Sequence, residues 1–382
     1  MSEIRVDNIT NEAGTGGPSF NNGINATSLN GGQFGGRRNL IINGDMRIAQ
    51  RGTSFTGLTN GSSGYTLDRW SFNENGNPTY ELTVSQDTDT PDDFGYSLKV
   101  DITTAQSSLA AGDTLRINTS IEAQNLQSLG YGTSSAKQTT LSFWVKGSTT
   151  GTYNIWFYSE DGNRTTSKSY TIDTADIWEH KTIVISGDSL GTINNDNGRG
   201  IAVEFFLAAG SNFTSGSDPN GTWEAYSQAN VAVGQTNLAA SNSNYWQITG
   251  VQLEVGDTAT PFEHRSYGEE LALCQRYFER IGGDVDYSAI GIGSQRTTTQ
   301  TYFNCYFKQI KRANPSTSFS GNVIVTDRLL YDQVISGISD AQPSVFGFHG
   351  NLDHSSVGEA RRPHHVTSDS NGSGHFDFDS EL

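Results

Sequence analysis

Cysteine is scarce: Cys274 and Cys305 are the only two in 382 residues. That excludes a disulfide scaffold and makes free buried thiols the expectation, one on the apolar side of a helix and one in an aromatic strand. Methionine is equally sparse at two, against 43 glycines, a balance that favours turns and strands over helices. Basic residues are outnumbered, 24 Lys and Arg against 41 Asp and Glu, giving a formal net charge of -17. So acidic a chain repels nucleic-acid phosphates and anionic membranes, which argues against both as partners and for solubility. No apolar run approaches the roughly 20 residues that cross a bilayer. The N-terminus lacks the charged and apolar regions of a secretory signal. There is no GxSxG, HExxH or P-loop, and no GxGxxG following a strand. Two carboxylates roughly 5 to 10 Å apart can cleave glycosides, but an acidic chain offers many accidental pairs. The expectation is no enzyme and no catalytic residue.

What is present is strand-like. Short runs recur at 80–85, 96–102, 114–121, 139–146, 153–158, 168–172, 179–185, 201–208 and 245–253. Several alternate, with Leu141, Phe143 and Val145 on one face. Gly-, Asn- and Asp-rich turns separate them, at 160–163, 186–188 and 194–200. Many short strands without strand–helix alternation predict a mainly β chain built on an antiparallel sandwich.

Residues 1–36 stand apart. Ile4, Val6 and Ile9 are spaced as one short strand, followed by a Gly-, Asn- and Ser-rich stretch holding Phe20 that cannot bury a core of its own. It reads either as a flexible tail or as an arm ordered against partner chains. Next comes NLIINGD at 39–45, then AQRGT, LDRW at 67–70, and, some 180 residues on, VQLEVGDTATPFE at 251–263 and ELALCQRYF at 270–278. In this order the five segments, spanning 37 to about 281, resemble bacteriophage tail fibre and receptor-binding proteins with a carbohydrate-binding-module-like jelly roll. The opening strand, NEAGTG and a phenylalanine resemble the virion-docking ends of such fibres. The resemblance implies an attachment arm at 1–36, with Ile4, Val6, Ile9 and Phe20 as contacts. It implies a jelly roll at 37–265 whose first and last strands lie side by side, a helical connector at 266–282 and a smaller β-rich tip at 283–382. It further implies a homotrimer on the virion, made in the host cytoplasm, docked on tail or baseplate proteins and touching a host glycan or protein receptor. A structural virion component without receptor contact, or a glycan-degrading tail enzyme, are the alternatives.

One helix is expected at 266–281. Ser266 and Glu269 have capping-box spacing, Arg276 and Arg280 sit near the C-terminal end, and Gly282 is a stop. Leu271, Cys274, Phe278 and Ile281 make a short stripe that either packs on a sheet or forms a trimer neck. Strands are expected at 301–308 and 321–326, with 335–375 rich in loops.

Candidate site residues follow from residue type. His349, His354, His364, His365 and His375 crowd the last 34 residues with Asp353, Asp369, Asp377 and Asp379. Imidazole with carboxylate can hold a transition metal, so His364 and His365 are weak metal candidates beside surface histidines without metal. Asp45, Glu254 and Asp257 are weak candidates for a structural calcium, the one cofactor considered, although no DxDxDG loop is present. Aromatic rings stack on sugars. Trp70, Trp144, Trp178 and Trp246 lie in strands and are assigned to the core, and Trp156 is ambiguous. Trp223, Tyr226, Tyr331, His349 and His354 are the ligand-binding candidates, with Tyr245 weaker.

Overall fold

The computed structural model describes residues 37–59, 64–327, 332–356 and 363–382, so Ile4, Val6, Ile9, Phe20 and Tyr331 lie outside the described residues. Alternation builds the first layer. In Thr139–Gly147, Leu141, Phe143 and Val145 are fully buried, while Trp144 and Lys146 stand half-buried on the opposite face. This strand belongs to an antiparallel sheet ordered Ser54–Leu58, Glu81–Asp87, Ser97–Thr104, Tyr245–Val255, Thr139–Gly147, Glu179–Ile185. A second antiparallel sheet is ordered Glu224–Ala225, Arg164–Ile172, Gly151–Ser159, Arg199–Ala209, Thr114–Glu122, Ser71–Asn75, Gly64–Tyr65. The chain crosses repeatedly between the two, as a jelly-roll sandwich does. Their inner faces meet in one aromatic core, where Phe143 of the first sheet stands edge-on to Phe205 of the second at 5.4 Å and Phe205 lies 5.8 Å from Trp246.

The expected neighbours lie side by side. Leu40 N–H donates to the Leu253 carbonyl and Val251 N–H to the Gly44 carbonyl, both at 2.9 Å. The 40–45 stretch is a run of bends and a turn rather than a strand. Gly44 is required there, because a Cβ would sit 2.1 Å from the Val251 carbonyl oxygen. The side chain of Asn43, itself at φ 58°, bridges the Ile48 and Asp68 carbonyls.

The helix starts as its sequence suggests, with Ser266 and Glu269 forming both bonds of the capping box, but it spans Tyr267–Gln275 and stops short of 281. Phe278–Gly282 is instead a strand, paired with His375–Asp379, which also pairs with Ser316–Ser320. Burying Phe278 and completing a ladder outweighs helix propensity in this aromatic stretch. The Leu271, Cys274, Phe278, Ile281 stripe therefore does not exist as a helical face. Cys274 and Phe278 are buried within this chain, and Leu271 and Ile281 pack on its cores, so they do not form a neck surface. A four-residue helix, Ser211–Thr214, and short 3-10 turns complete the helical content of the described residues.

The last region holds more strand than expected. Ala289–Thr297, Gln300–Tyr306, Gly347–His354, Asp332–Pro343, Val323–Thr326 and Pro363–Ser368 close in that order into a six-stranded barrel. Phe303, Phe348, Leu352, Val325 and Val366 fill it, and the neighbouring three-stranded sheet adds Phe376 and Phe378. The 335–375 stretch looked like loop because only alternate positions are apolar in so narrow a barrel.

The opening motif joins the two units. Arg51 lies 3.6 Å from the Phe278 ring centroid and bridges Asp379 at 3.0 Å and Glu381 at 3.3 Å. Arg69, fully buried, covers the Tyr277 ring at 3.5 Å, pairs with Glu381 and donates to the Ser120 carbonyl. Gln50 donates to the Phe278 carbonyl and Tyr65 to that of Leu382. Asp68 is wholly enclosed; burial holds its carboxyl above the usual range, opposed by the Arg51 charge. Nearby, Glu279 and Lys311 form an ion pair at 2.7 Å with both side chains fully buried.

Glu74 offers a pH test of this packing. Its two carboxylate oxygens are buried, and desolvation, opposed only in part by the Tyr80 hydroxyl beside it, raises its pKa from 4.5 to about 7. A carboxyl whose folded pKa lies above its unfolded one binds more protons when folded, so stability falls as pH rises from about 4.5 through about 7. Glu74→Gln is expected to stabilise the protein by about 1–2 kcal/mol in urea melts above that window, allowing for partial solvent screening, and to change little below it.

Candidate functional site

The outer face of the first sheet carries a groove of about 990 Å³. Strand pairing sets its centre: Trp144 and His180 are directly opposite on Thr139–Gly147 and Glu179–Ile185, with rings 5.1 Å apart at 56°. On the other side of Trp144, the strand Tyr245–Val255 bulges between Thr249 and Gln252. Gly250 sits in that bulge at φ +63°, where a Cβ would lie 2.7 Å from the Phe94 ring and 3.1 Å from Trp144. No other residue lets the floor come so close to both rings. Two loops form the walls. Phe94, Phe262 and His264 cluster with centroids 5.2, 5.4 and 4.9 Å apart, and the exposed carboxylates of Asp92 and Asp93 stand beside them.

The groove thus joins aromatic faces with carboxylate and hydroxyl groups, the Ser142 side chain included. His180 is exposed, and partial desolvation by its neighbours pushes its imidazole below the ordinary value. At one edge Asp89 pairs with Lys146 and accepts from Trp178 Nε1 at 3.1 Å, and these contacts hold its carboxyl below the usual range. Rings take up the apolar C–H face of a sugar, while carboxylates, imidazole and hydroxyls bond its hydroxyls.

The residues singled out from sequence fall mostly elsewhere. Trp223 is buried, edge-on to Tyr131 at 5.7 Å, with Nε1 donating to the Ser186 carbonyl, so the exposed ring expected there is a core residue. Tyr226 is exposed but packs on Trp156 and Tyr158, on the second sheet and away from the groove. His354 and His364 are buried in the barrel, both bonded to the Thr301 hydroxyl at 3.0 and 2.8 Å. His365 is exposed, and His349 lines a smaller cavity on the barrel. Asp45 pairs with Arg47, Glu254 accepts from Thr260 and Gln252, and Asp257 is exposed. Among the described residues no three His, Cys, Asp or Glu side chains are grouped to hold a metal ion. Both cysteines are unpaired; burial pushes the Cys305 thiol up to about 12 and that of Cys274 well above its ordinary value.

Trp70 and Trp246 are core as expected, and Trp156 is buried in a small cluster on the outside of the second sheet. Trp144 and Trp178 are only half-buried. The signal for Trp144 was present: if Leu141, Phe143 and Val145 point inward, position 144 points out. Phe94, Phe262 and His264 come from loops whose convergence no local pattern announces.

No protein-family model matches the chain, and no curated protein does either. Solved structures with similar strand arrangements include the enzymatically active domain of bacteriophage CBA120 tailspike protein 4, at 15% identity and a TM-score of 0.30. That match covers 57% of this chain and 21% of the tailspike chain, so this chain matches about a fifth of its length. TmCBM61 in complex with β-1,4-galactotriose matches at 14% identity and a TM-score of 0.27, covering 57% of this chain and 99% of that one. The family 11 carbohydrate-binding module from Clostridium thermocellum, in complex with a β-1,3-1,4-mixed-linked tetrasaccharide, matches at 12% identity and 0.27, covering 56% and 99%.

Proposed function

We propose that the protein is a glycan-binding adhesin of the phage tail fibre type, attaching a virion to the host surface. One observation carries the glycan reading: the groove that sets Trp144, His180 and Phe94 beside Asp92 and Asp93 on the outside of a sandwich sheet. At about 990 Å³ it lies at the upper end of the roughly 300–1,000 Å³ usual for ligand pockets, which suits several linked sugar residues. The virion setting is supported by the five ordered segments at 37–281 and the low-complexity 1–36 stretch, read as the arm that docks on tail or baseplate proteins. In this reading the chain is a homotrimer, so modest single-site affinity is multiplied by avidity. It binds rather than cleaves, needs no cofactor, and acts on the virion after synthesis in the host cytoplasm.

Full-length protein, immobilised, is expected to capture surface polysaccharide from at least one host in a bacterial panel, with free oligosaccharide releasing it. Failure to retain polysaccharide from any host contradicts the glycan reading, and release of shortened chains moves it to an enzyme. Light scattering on the same protein should give the mass of three chains; a monomer removes the trimer.

A further inference from the structure

Two carboxylates, Asp92 and Asp93, line the groove on the first sheet, and no lysine or arginine does. Both stand on a turn in which Phe94 N–H donates to the Pro91 carbonyl at 3.4 Å and Asp93 sits at φ 71°. Both are exposed, and neither makes a hydrogen bond or ion pair among the described residues. The cations nearby are committed elsewhere. Lys146 pairs with Asp89. Behind the wall, Arg38 donates to the Thr260 hydroxyl at 2.8 Å and to the Pro261 carbonyl at 3.4 Å. Arg265 pairs with Glu263 at 3.2 Å and with Glu270 at 3.1 Å.

The floor adds a second feature that points to a ligand. Leu141, Phe143 and Val145 are buried in the core, so Ser142 and Trp144 face the groove. Ser142 is only 4% exposed, yet its hydroxyl makes no hydrogen bond among the described residues. An enclosed hydroxyl left unpaired is costly, and a sugar hydroxyl or amine satisfies it. Over this floor the faces of Trp144, Phe94 and Phe262 stand beside the two carboxylates. Unbalanced carboxylates next to ring faces favour a positive ligand. An ammonium makes charge-assisted bonds to Asp92 and Asp93 and is attracted to the rings. A neutral hydroxyl gains the hydrogen bonds without the charge, and a uronate is repelled.

We propose that the groove takes a glycan bearing a free amino group, a hexosamine that is not N-acylated, in preference to a neutral or acidic one. This rests on the glycan reading of the same groove and names the chemical class within it. The test is isothermal titration of the full-length protein near neutral pH with tetrasaccharides of glucosamine and of galactosamine, each beside its N-acetylated form. At least one free-amine form is expected to bind about tenfold or more tighter than its N-acetylated counterpart. In the double variant Asp92→Asn, Asp93→Asn the ratio between the two forms should fall to near one, because the amides keep hydrogen bonding and lose the charge. Trp144→Ala should weaken both forms. Equal or tighter binding of the N-acetylated forms overturns the proposal, and where that binding is lost in Trp144→Ala the glycan reading stands without it. A preference that survives the double variant also overturns it, since the amine is then held by the acidic surface at large. Binding of neither form overturns it as well, and capture of host polysaccharide then decides separately whether the groove reads glycan at all.

Discussion

Arg69→Met is expected to destabilise the protein by about 3–5 kcal/mol, because it removes one partner of a buried charge pair and strands the other. Arg69 and Glu381 are both nearly inaccessible, and the guanidinium also covers Tyr277 and bonds the Ser120 carbonyl. Arg51 remains within 3.3 Å of Glu381, which places the loss toward the lower end of that range. Arg69 belongs to the sandwich and Tyr277 and Glu381 to the barrel side, so the damage falls on the junction. Calorimetry should show the parent unfolding in one transition and the variant in two, the barrel unit melting first. Adding Glu381→Gln should recover part of the loss, since a neutral amide costs less to bury than an unpaired carboxylate. A parent melting curve already split, or a variant that melts like the parent, contradicts the coupling.

Trp144→Ala is expected to leave the fold intact and to weaken glycan binding by about 10- to 100-fold, as loss of a central aromatic contact does. The fold survives because the indole lies half-buried on the outer face, while Leu141, Phe143 and Val145 of the same strand hold the core. Trp144→Phe should restore part of the affinity by returning a ring of smaller area. His180 is neutral above its lowered pKa, so the affinity it supports should stay flat from neutral into alkaline pH. Isothermal titration with the captured oligosaccharide reads both variants and the pH dependence. Unchanged affinity in Trp144→Ala would place recognition elsewhere on the chain.

The sandwich was legible in the sequence because its strands are long and alternate over a wide aromatic core. Leu141, Phe143 and Val145 give the strand, its inward face and, by default, the outward direction of Trp144. A tryptophan in a strand is more often a core residue, and that prior masks the outward direction of Trp144. The side-by-side placement of NLIINGD and VQLE was also legible, though not its purpose. Asn43, Gln50 and Arg69 form a junction through contacts more than 200 residues apart, with Glu270, Phe278, Tyr277 and Glu381, and no local pattern reports those. The helix start was readable from Ser266 and Glu269, but its end was set by a strand partner, Phe376 to Asp379, a hundred residues further on. In the barrel, polar outward positions diluted the apolar alternation until Gly347–His354 looked like loop. The histidines clustered in sequence separate in space: His354 and His364 meet at Thr301 inside, while His349 faces the outer wall.

The central claim is that the groove around Trp144 recognises glycan. It is tested most directly by NMR of the full-length protein with labelled tryptophan indoles, titrated with the oligosaccharide that releases captured polysaccharide. The account predicts saturable movement of the Trp144 indole resonance while the buried Trp70 and Trp246 stay still. Saturable binding with Trp144 unmoved would contradict it.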